Sequence, residues 1–404
     1  MDFNTTFPVL LAGRYLLALF FQDVDLRNDH LLSTPLTAYP RLQEGIYLFQ
    51  QGFDPYSGGL FRHSPLLLSL FSTILPLTRI TSPIVWTAVD GAAAWALIDV
   101  WRARINVLKG SREGLIAALY LLNPYTFLPS LAWSTSTFEN MLILLSLRFA
   151  CRGRSSMSLL TFALLVQLSL PWAVMLLPLT ALIVSGPESR LALPRPFNAD
   201  KRQMLPLFAK FAVYSMMLTF ASTLVCGNWL WVEQSWIAPL MLPDLTPNPG
   251  LWWYFFTEMF DHFRAFFLMV FSVHLLIYIV PICIKFQHDL LYACFLTVGV
   301  LATFKAYPTL SDPGLFLSLW SIFPETYPHL RHPMIAGLLH IHSALLLPLF
   351  HHLWLVQGTG NANFFYASTL VFGLANGAVL LDTLWAGLRT AMGRITDEYE
   401  VIQE

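Results

Sequence analysis

The chain has 404 residues, of which 56% are hydrophobic, 15% aromatic and only 12% charged, and its mean hydropathy is +0.59. Soluble domains carry roughly 25% charged residues, so a soluble globular protein is excluded; apolar runs along the whole length indicate a polytopic membrane protein. A formal net charge of −1 gives no basis for nucleic-acid binding, and four cysteines without a CxxC spacing argue against a disulfide framework.

In chain order, the apolar runs place spans near 7–22, 83–101, 113–128, 134–150, 156–170, 172–185, 207–226, 265–284, 289–304, 312–324, 333–355 and 364–389. Several fall short of the ~20 residues that cross a bilayer, so their edges are loose. Asp2 stands where a signal peptide has a basic region, and no small-residue cleavage site follows. Residues 7–22 therefore read as a retained first span. No tandem repeat, low-complexity stretch or linker divides the chain. The expectation is an all-α membrane bundle of about 12 transmembrane helices, a single multispanning domain over residues 1–404.

Basic residues set the orientation. Arg102, Arg104, Lys109 and Arg112 share one loop, Arg152 and Arg154 a second, and Arg190, Arg195, Lys201 and Arg202 a third, with Lys285, Arg389 and Arg394 further on. The positive-inside rule puts all of these in the cytosol, together with both termini and the tail 390–404. Loops 23–82, 227–264, 305–311 and 356–363 then face the opposite side. Residues 64–78 look like a further span, but they are short and bracketed by Pro65 and Pro76. Counting them would also turn the Arg102–Arg112 loop outward, so they read as an interfacial helix on the outer face. The sequon at residues 4–6 falls on the cytosolic side, unglycosylated.

The outer face collects the distinctive residues. Between two apolar spans, a Pro/Asn/Gly turn runs into an aromatic segment that also holds Glu258, Asp261, His262 and Arg264. Aromatic bodies with polar tips suit the headgroup region of a bilayer. A second Gly/Asn turn at 358–363 opens directly into the last span, where free backbone N–H groups suit an anionic phosphate. These loops face one side, where they can line a common lipid-accessible cavity.

The order DLTPNxGLxWYFFxEMFxHF at 244–263, with NANFFYAxTL at 361–370, resembles the signature of the U subunit (PIG-U) family of the glycosylphosphatidylinositol (GPI) transamidase. STPLT at 33–37, SG within PYSG at 55–58, LLNPYT at 121–126 and FKAYPT at 304–309 follow in the family's order. The resemblance covers nearly the whole chain. It implies a non-catalytic, multispanning subunit of an endoplasmic reticulum complex that replaces a C-terminal signal with a GPI lipid. It also implies a fold similar to the dolichol-dependent glycosyltransferases called GT-C, and a caspase-like partner subunit that supplies the nucleophilic cysteine and its histidine. The chain itself would help to hold the GPI lipid, with a role also for the hydrophobic signal peptide, and no cofactor is implied.

On this reading the lipid-contacting candidates are Asp244, Asn248, Trp253, Tyr254, Phe256, Glu258 and His262 from the first motif. The second motif contributes Asn361, Asn363, Phe364, Phe365 and Tyr366. Carboxylates and amides suit an ethanolamine amine or sugar hydroxyls, and the phenylalanines suit acyl chains. The two motifs are expected to approach each other on the outer side. Tryptophan and tyrosine also form belts at any membrane interface, so the aromatic residues carry a plain anchoring reading as well.

A rival enzyme reading rests on Asp23 and Asp25 in the first outer loop. Carboxylates at i,i+2 can chelate a divalent cation or orient an acceptor hydroxyl, as a dolichol-phosphate mannosyltransferase requires. The bland alternative is a solvated juxtamembrane turn. Cys151, Cys226, Cys283 and Cys294 lie in or at the ends of apolar runs, away from the wet surface that a nucleophilic thiolate needs. His340 with His342, and His351 with His352, point to different faces of a helix and read as packing or interfacial residues. Asp90, Glu139 and Asp382 lie within spans, where a carboxylate is either functional or an interhelical hydrogen-bond partner. Transport ranks last, because the two halves show no paired broken helices.

Overall fold

The computed structural model describes residues 3–75, 77–188, 190–194 and 201–393, with helices and no strand among them. Asp2, Pro76, Arg195, Arg394 and the rest of the tail lie outside these residues. The first helix is α1 (Phe3–Phe20), followed by the loop 23–82, which contains α2 (Tyr39–Gln50) and α3 (Pro65–Ser69). The chain continues as α4 (Thr81–Ile105), α5 (Glu113–Leu121), α6 (Pro124–Leu131), α7 (Ser136–Cys151), α8 (Ser155–Leu168) and α9 (Leu176–Ser185). Then follow α10 (Met204–Cys226), the short α11 (Ala238–Met241) and α12 (Trp252–Glu258), and α13 (Asp261–Lys285). The last four are α14 (Leu290–Phe304), α15 (Ser311–Trp320), α16 (Pro333–His351) and α17 (Ala362–Met392).

Every apolar run expected to span carries a helix, and a helical membrane protein is what the chain forms. Among the described residues, six helices are long and apolar enough to cross a bilayer alone, or seven when a bent pair is one span. That bent pair, α5 and α6, corrects the expectation of one continuous span over 113–128. The cause is local. Pro124 pushes the preceding residue out of the helical region, and Asn123 sits at φ −64°, ψ 120° with its Oδ1 accepting from Tyr125 N at 3.0 Å. Helix α5 stops, α6 restarts, and the axis turns by 52°.

The expected interfacial helix at 64–78 also differs in detail. It is α3 followed by a wide turn over Leu70–Ile74, and it buries Leu67, Leu68 and Phe71 against Trp86 and Phe138. It packs on α10 rather than lying loose on the surface.

Helix α14 is the central post. Every one of its residues except Phe304 is buried, which explains why it is apolar all round rather than on one face. Helix α4 packs on α7 and on α1, and its small residues Gly91, Ala93, Ala94 and Ala96 are buried, with Gly91 against Leu11 of α1. Close backbone approach matters here because lipid tails leave little hydrophobic drive between membrane helices.

Charged staples do the rest. Arg14 of α1 pairs with Asp90 of α4, donates to Leu121 O at the α5–α6 break (3.0 Å), and lies over the Phe127 ring. Ser130 Oγ donates to the same Asp90 carboxylate at 2.5 Å. Glu139 accepts from Lys305 Nζ at 3.1 Å and from Trp172 Nε1 at 2.7 Å, while Lys305 also reaches Asp312 at 3.0 Å. Asp382 accepts from the backbone N–H groups of Arg331 (2.6 Å) and His332 (3.0 Å), just before α16 starts. The carboxylates of Asp90, Glu139 and Asp382 therefore hold helices together.

At the end of the bundle carrying the basic loops, Arg102 pairs with Glu113, Arg104 with Asp289 and Glu325, and both Arg148 and Arg152 with Asp99. The opposite end gathers the loops assigned to the outer face. Leu310 N donates to Leu31 O, Thr135 N to Thr37 O, and Asn228 to Asp54.

Candidate functional site

The turn before α12 is built by Asn248. Its Oδ1 accepts from Gly250 N at 2.8 Å and its amide donates to Thr246 O at 3.1 Å. A side chain at Gly250 would meet the Pro308 ring at 2.7 Å, so glycine lets the 304–309 segment close on the turn. Asp244 is held from two sides. Arg62 Nε donates to its carboxylate at 3.0 Å, and Tyr307 OH bridges its backbone, donating to Asp244 O at 2.9 Å. Arg62 also reaches Gln234, so one arginine ties the first outer loop to the segment between α10 and α12.

Helix α12 then presents two faces. Trp252 and Phe256 point inward onto Phe271 of α13 and Tyr307. Trp253 and Tyr254 point toward the start of α17. There Tyr254 OH donates to Asn363 Oδ1, Tyr366 OH donates to Leu251 O at 3.2 Å, and the Tyr254 and Tyr366 rings lie 4.7 Å apart. Trp253 packs on Phe365, Tyr366 and Trp354. The two sequence motifs are in direct contact.

Below this contact opens a crevice. Helix α13 packs on α14 and α9, α17 packs on α14 and α16, and α14 forms the floor between them. The upper compartment, about 370 Å³, is lined by Leu251, Phe255, Phe271, His274, Phe304, Tyr366 and Leu370 among others. A lower one of about 570 Å³ continues toward Lys285. Phe304 borders both, and with Tyr278 and His274 it forms an aromatic partition: Tyr278 stacks on Phe304 at 5.9 Å and His274 meets Phe304 edge-on at 4.6 Å.

The sequence candidates divide accordingly. Tyr366 lines the upper compartment, Tyr254 and Asn363 close its rim, and Glu258 and His262 are exposed beside it. Asp244 and Asn248 hold loop geometry, Asp244 through Arg62 and Tyr307 and Asn248 through the backbone of its own turn. Phe256 is buried under Trp252, and its neighbour Phe255 is the one that lines the crevice. Phe365 is fully buried against Trp253 and His351, whereas Phe364 is exposed and stacks on Phe350. Asn361 caps α17, its Oδ1 accepting from Phe364 N at 3.2 Å.

His274 and Phe304 escaped the sequence reading as site residues. A histidine within an otherwise apolar span was the available signal.

The match to a family model described as "GPI transamidase subunit PIG-U" covers residues 8–372. This chain belongs to the PIG-U family. It is similar to the GPI transamidase component GAB1 of Saccharomyces cerevisiae, with 34% identity over 360 residues, 88% of this chain and 86% of the relative. The GAB1 homologue of Schizosaccharomyces pombe is 34% identical over 361 residues, with the same coverage. The human GPI-anchor transamidase component PIGU is 30% identical over 385 residues, again covering 88% and 86%.

In this family member Asp23 and Asp25 are exposed and engaged separately, Asp23 with Arg79 and Asp25 with Asn28 at 3.1 Å. Of the histidines, His340 and His351 serve packing, whereas His342 and His352 are exposed. His340 meets Tyr125 and Phe372, and His351 stacks on His30. The four cysteines lie on α7, α10, α13 and α14, with Cys151 and Cys294 fully buried.

The loop between α2 and α3 holds a buried titratable group. His63 is buried and donates from Nε2 to Ala38 O at 3.0 Å; burial pushes its pKa down from 6.5 to about 4, against the smaller opposing effect of that bond. Below its ordinary pKa the unfolded histidine takes up a proton that the folded one refuses. Stability from this group is thus complete above about pH 6.5 and is lost as pH falls toward 4, at up to about 1.4 kcal/mol per pH unit. Hydrogen exchange over residues 39–64 should show protection falling between pH 7 and 5, and His63→Phe should flatten that slope. An unchanged slope in the variant would assign the effect elsewhere.

Proposed function

We propose that this chain is a non-catalytic membrane subunit of a GPI transamidase complex of the endoplasmic reticulum, and that it holds the GPI lipid. The observation that carries the reading is the crevice between α13 and α17, with the Tyr254–Asn363 contact at its rim. Its walls are apolar and aromatic, as alkyl chains require, and its rim turns polar where a headgroup begins. The Asn363 amide nitrogen and the first backbone N–H groups of α17 suit a phosphate, and the exposed Glu258 carboxylate suits an ethanolamine amine.

In this arrangement loops 23–82, 227–264, 305–311 and 356–363 are lumenal, α3 lies along the lumenal face, and both termini are cytosolic. The chemistry of attachment belongs to a caspase-like partner subunit, whose cysteine the held lipid approaches. The signal peptide's hydrophobic tail is a second passenger of the same membrane face.

Purification in mild detergent, followed by identification of what travels with the chain, tests this. Recovery of a caspase-like subunit together with GPI lipid is the expected result. A chain that purifies alone and transfers mannose from a dolichol-phosphate donor would overturn it in favour of an enzyme.

A further inference from the structure

The lower compartment of the crevice has a different character from the rim. It is an apolar slot of about 570 Å³ between α13 and α17, walled by Ile282, Val300, Leu381 and Leu388 and roofed by the aromatic partition. One charged side chain borders it, Lys285, the last residue of α13, at the end away from the two motifs. Arg102, Arg104, Arg148 and Arg152 at the same end of the bundle are all held in ion pairs. Among the described residues, Lys285 has neither an ion-pair nor a hydrogen-bond partner, although it lies on the crevice wall. The Tyr278 hydroxyl, seven residues or about 10 Å further up the same face, has no hydrogen-bond partner either.

An apolar slot with an unpaired cation at its open end is complementary to a lipid whose headgroup is negative. Lysine suits that role because its long stem can follow the apolar wall while its ammonium stays at headgroup depth. The space is made by Gly377 of α17, where an added Cβ would meet nothing within 4 Å. We propose that this lower compartment binds an anionic phospholipid of the leaflet opposite the two motifs, its phosphate on Lys285 and its chains beneath the Tyr278–Phe304 partition. The site is separate from the rim proposed for the GPI lipid and does not depend on it.

The test uses the protein purified with its native complex and reconstituted in phosphatidylcholine nanodiscs containing phosphatidylserine. Bound phospholipid is then counted by native mass spectrometry. Wild type is expected to retain phosphatidylserine over phosphatidylcholine by about fivefold, the factor expected of one lysine near an anionic lipid. Lys285→Arg should keep the preference, and Lys285→Glu should abolish it with an unchanged melting temperature. Should Lys285→Glu not assemble, Lys285→Gln carries the same comparison. Gly377→Leu, which fills the slot with a good helix former, should release both lipids. Equal retention of the two lipids by wild type, or an unaltered preference in Lys285→Glu, overturns the proposal. So does photocrosslinking from position 381 that captures a polypeptide instead of lipid. Anchoring of a GPI reporter is a separate readout and reports on the rim.

Discussion

Replacing Asn363 by alanine is expected to cut surface display of a GPI-anchored reporter by tenfold or more, with the complex still assembled. Asn363 is exposed at the rim, where its Oδ1 accepts from Tyr254. A hydrogen bond to a charged group contributes about 1.5–3 kcal/mol, which is at least a tenfold change in occupancy. Asn361 separates ligand contact from helix stability. Its oxygen caps α17, so Asn361→Ala costs about 1 kcal/mol of capping, while Asn361→Ser retains the cap. Display that is normal in Asn363→Ala, with assembly intact, would remove the lipid from this rim. Loss of assembly with no lipid defect would make the contact a purely structural joint.

The second large effect is on stability. Asp90→Leu is expected to destabilise the bundle by about 3–5 kcal/mol, because it leaves Arg14 buried without its counter-charge. Arg14 is 4% exposed, and Asp90 is 0% exposed. The double variant Arg14→Leu/Asp90→Leu should regain most of the loss, since two apolar side chains need no pairing in an apolar core. Denaturation in mixed detergent micelles across the four-member cycle measures the coupling. Additive losses, with no recovery in the double variant, would show that Arg14 acts chiefly through Leu121 O and the α5–α6 break rather than through Asp90.

Several elements were legible in the residue order and for clear reasons. Apolar run length marks a membrane helix because the bilayer forces the backbone to satisfy its own hydrogen bonds. The last helix, expected after a Gly/Asn turn ending at Asn363, starts two residues earlier at Ala362, with Asn361 of that turn as its cap. The break at Asn123–Pro124 is not legible from run length, although an Asn-Pro pair is a helix-stopping signal. Run length outweighed the proline, and only the packing of Arg14 against Leu121 O shows why a bent pair is stable there. Phe255 and Phe256 are indistinguishable as letters. Which one lines the crevice depends on the angle at which α12 crosses α13, and contacts distant in sequence set that angle.

By itself, then, the sequence determined the membrane class, the approximate positions of the long apolar helices, the grouping of loops by charge and the two motifs. Each of these follows from local composition or from the order of neighbouring residues. Only the tertiary structure decided that the motifs meet through Tyr254 and Asn363. It also showed that Asp90, Glu139 and Asp382 are structural partners, and that α13 stands off α17 to leave a crevice with Lys285 at its far end. Those outcomes depend on which helix faces oppose each other, and no local stretch of residues carries that information.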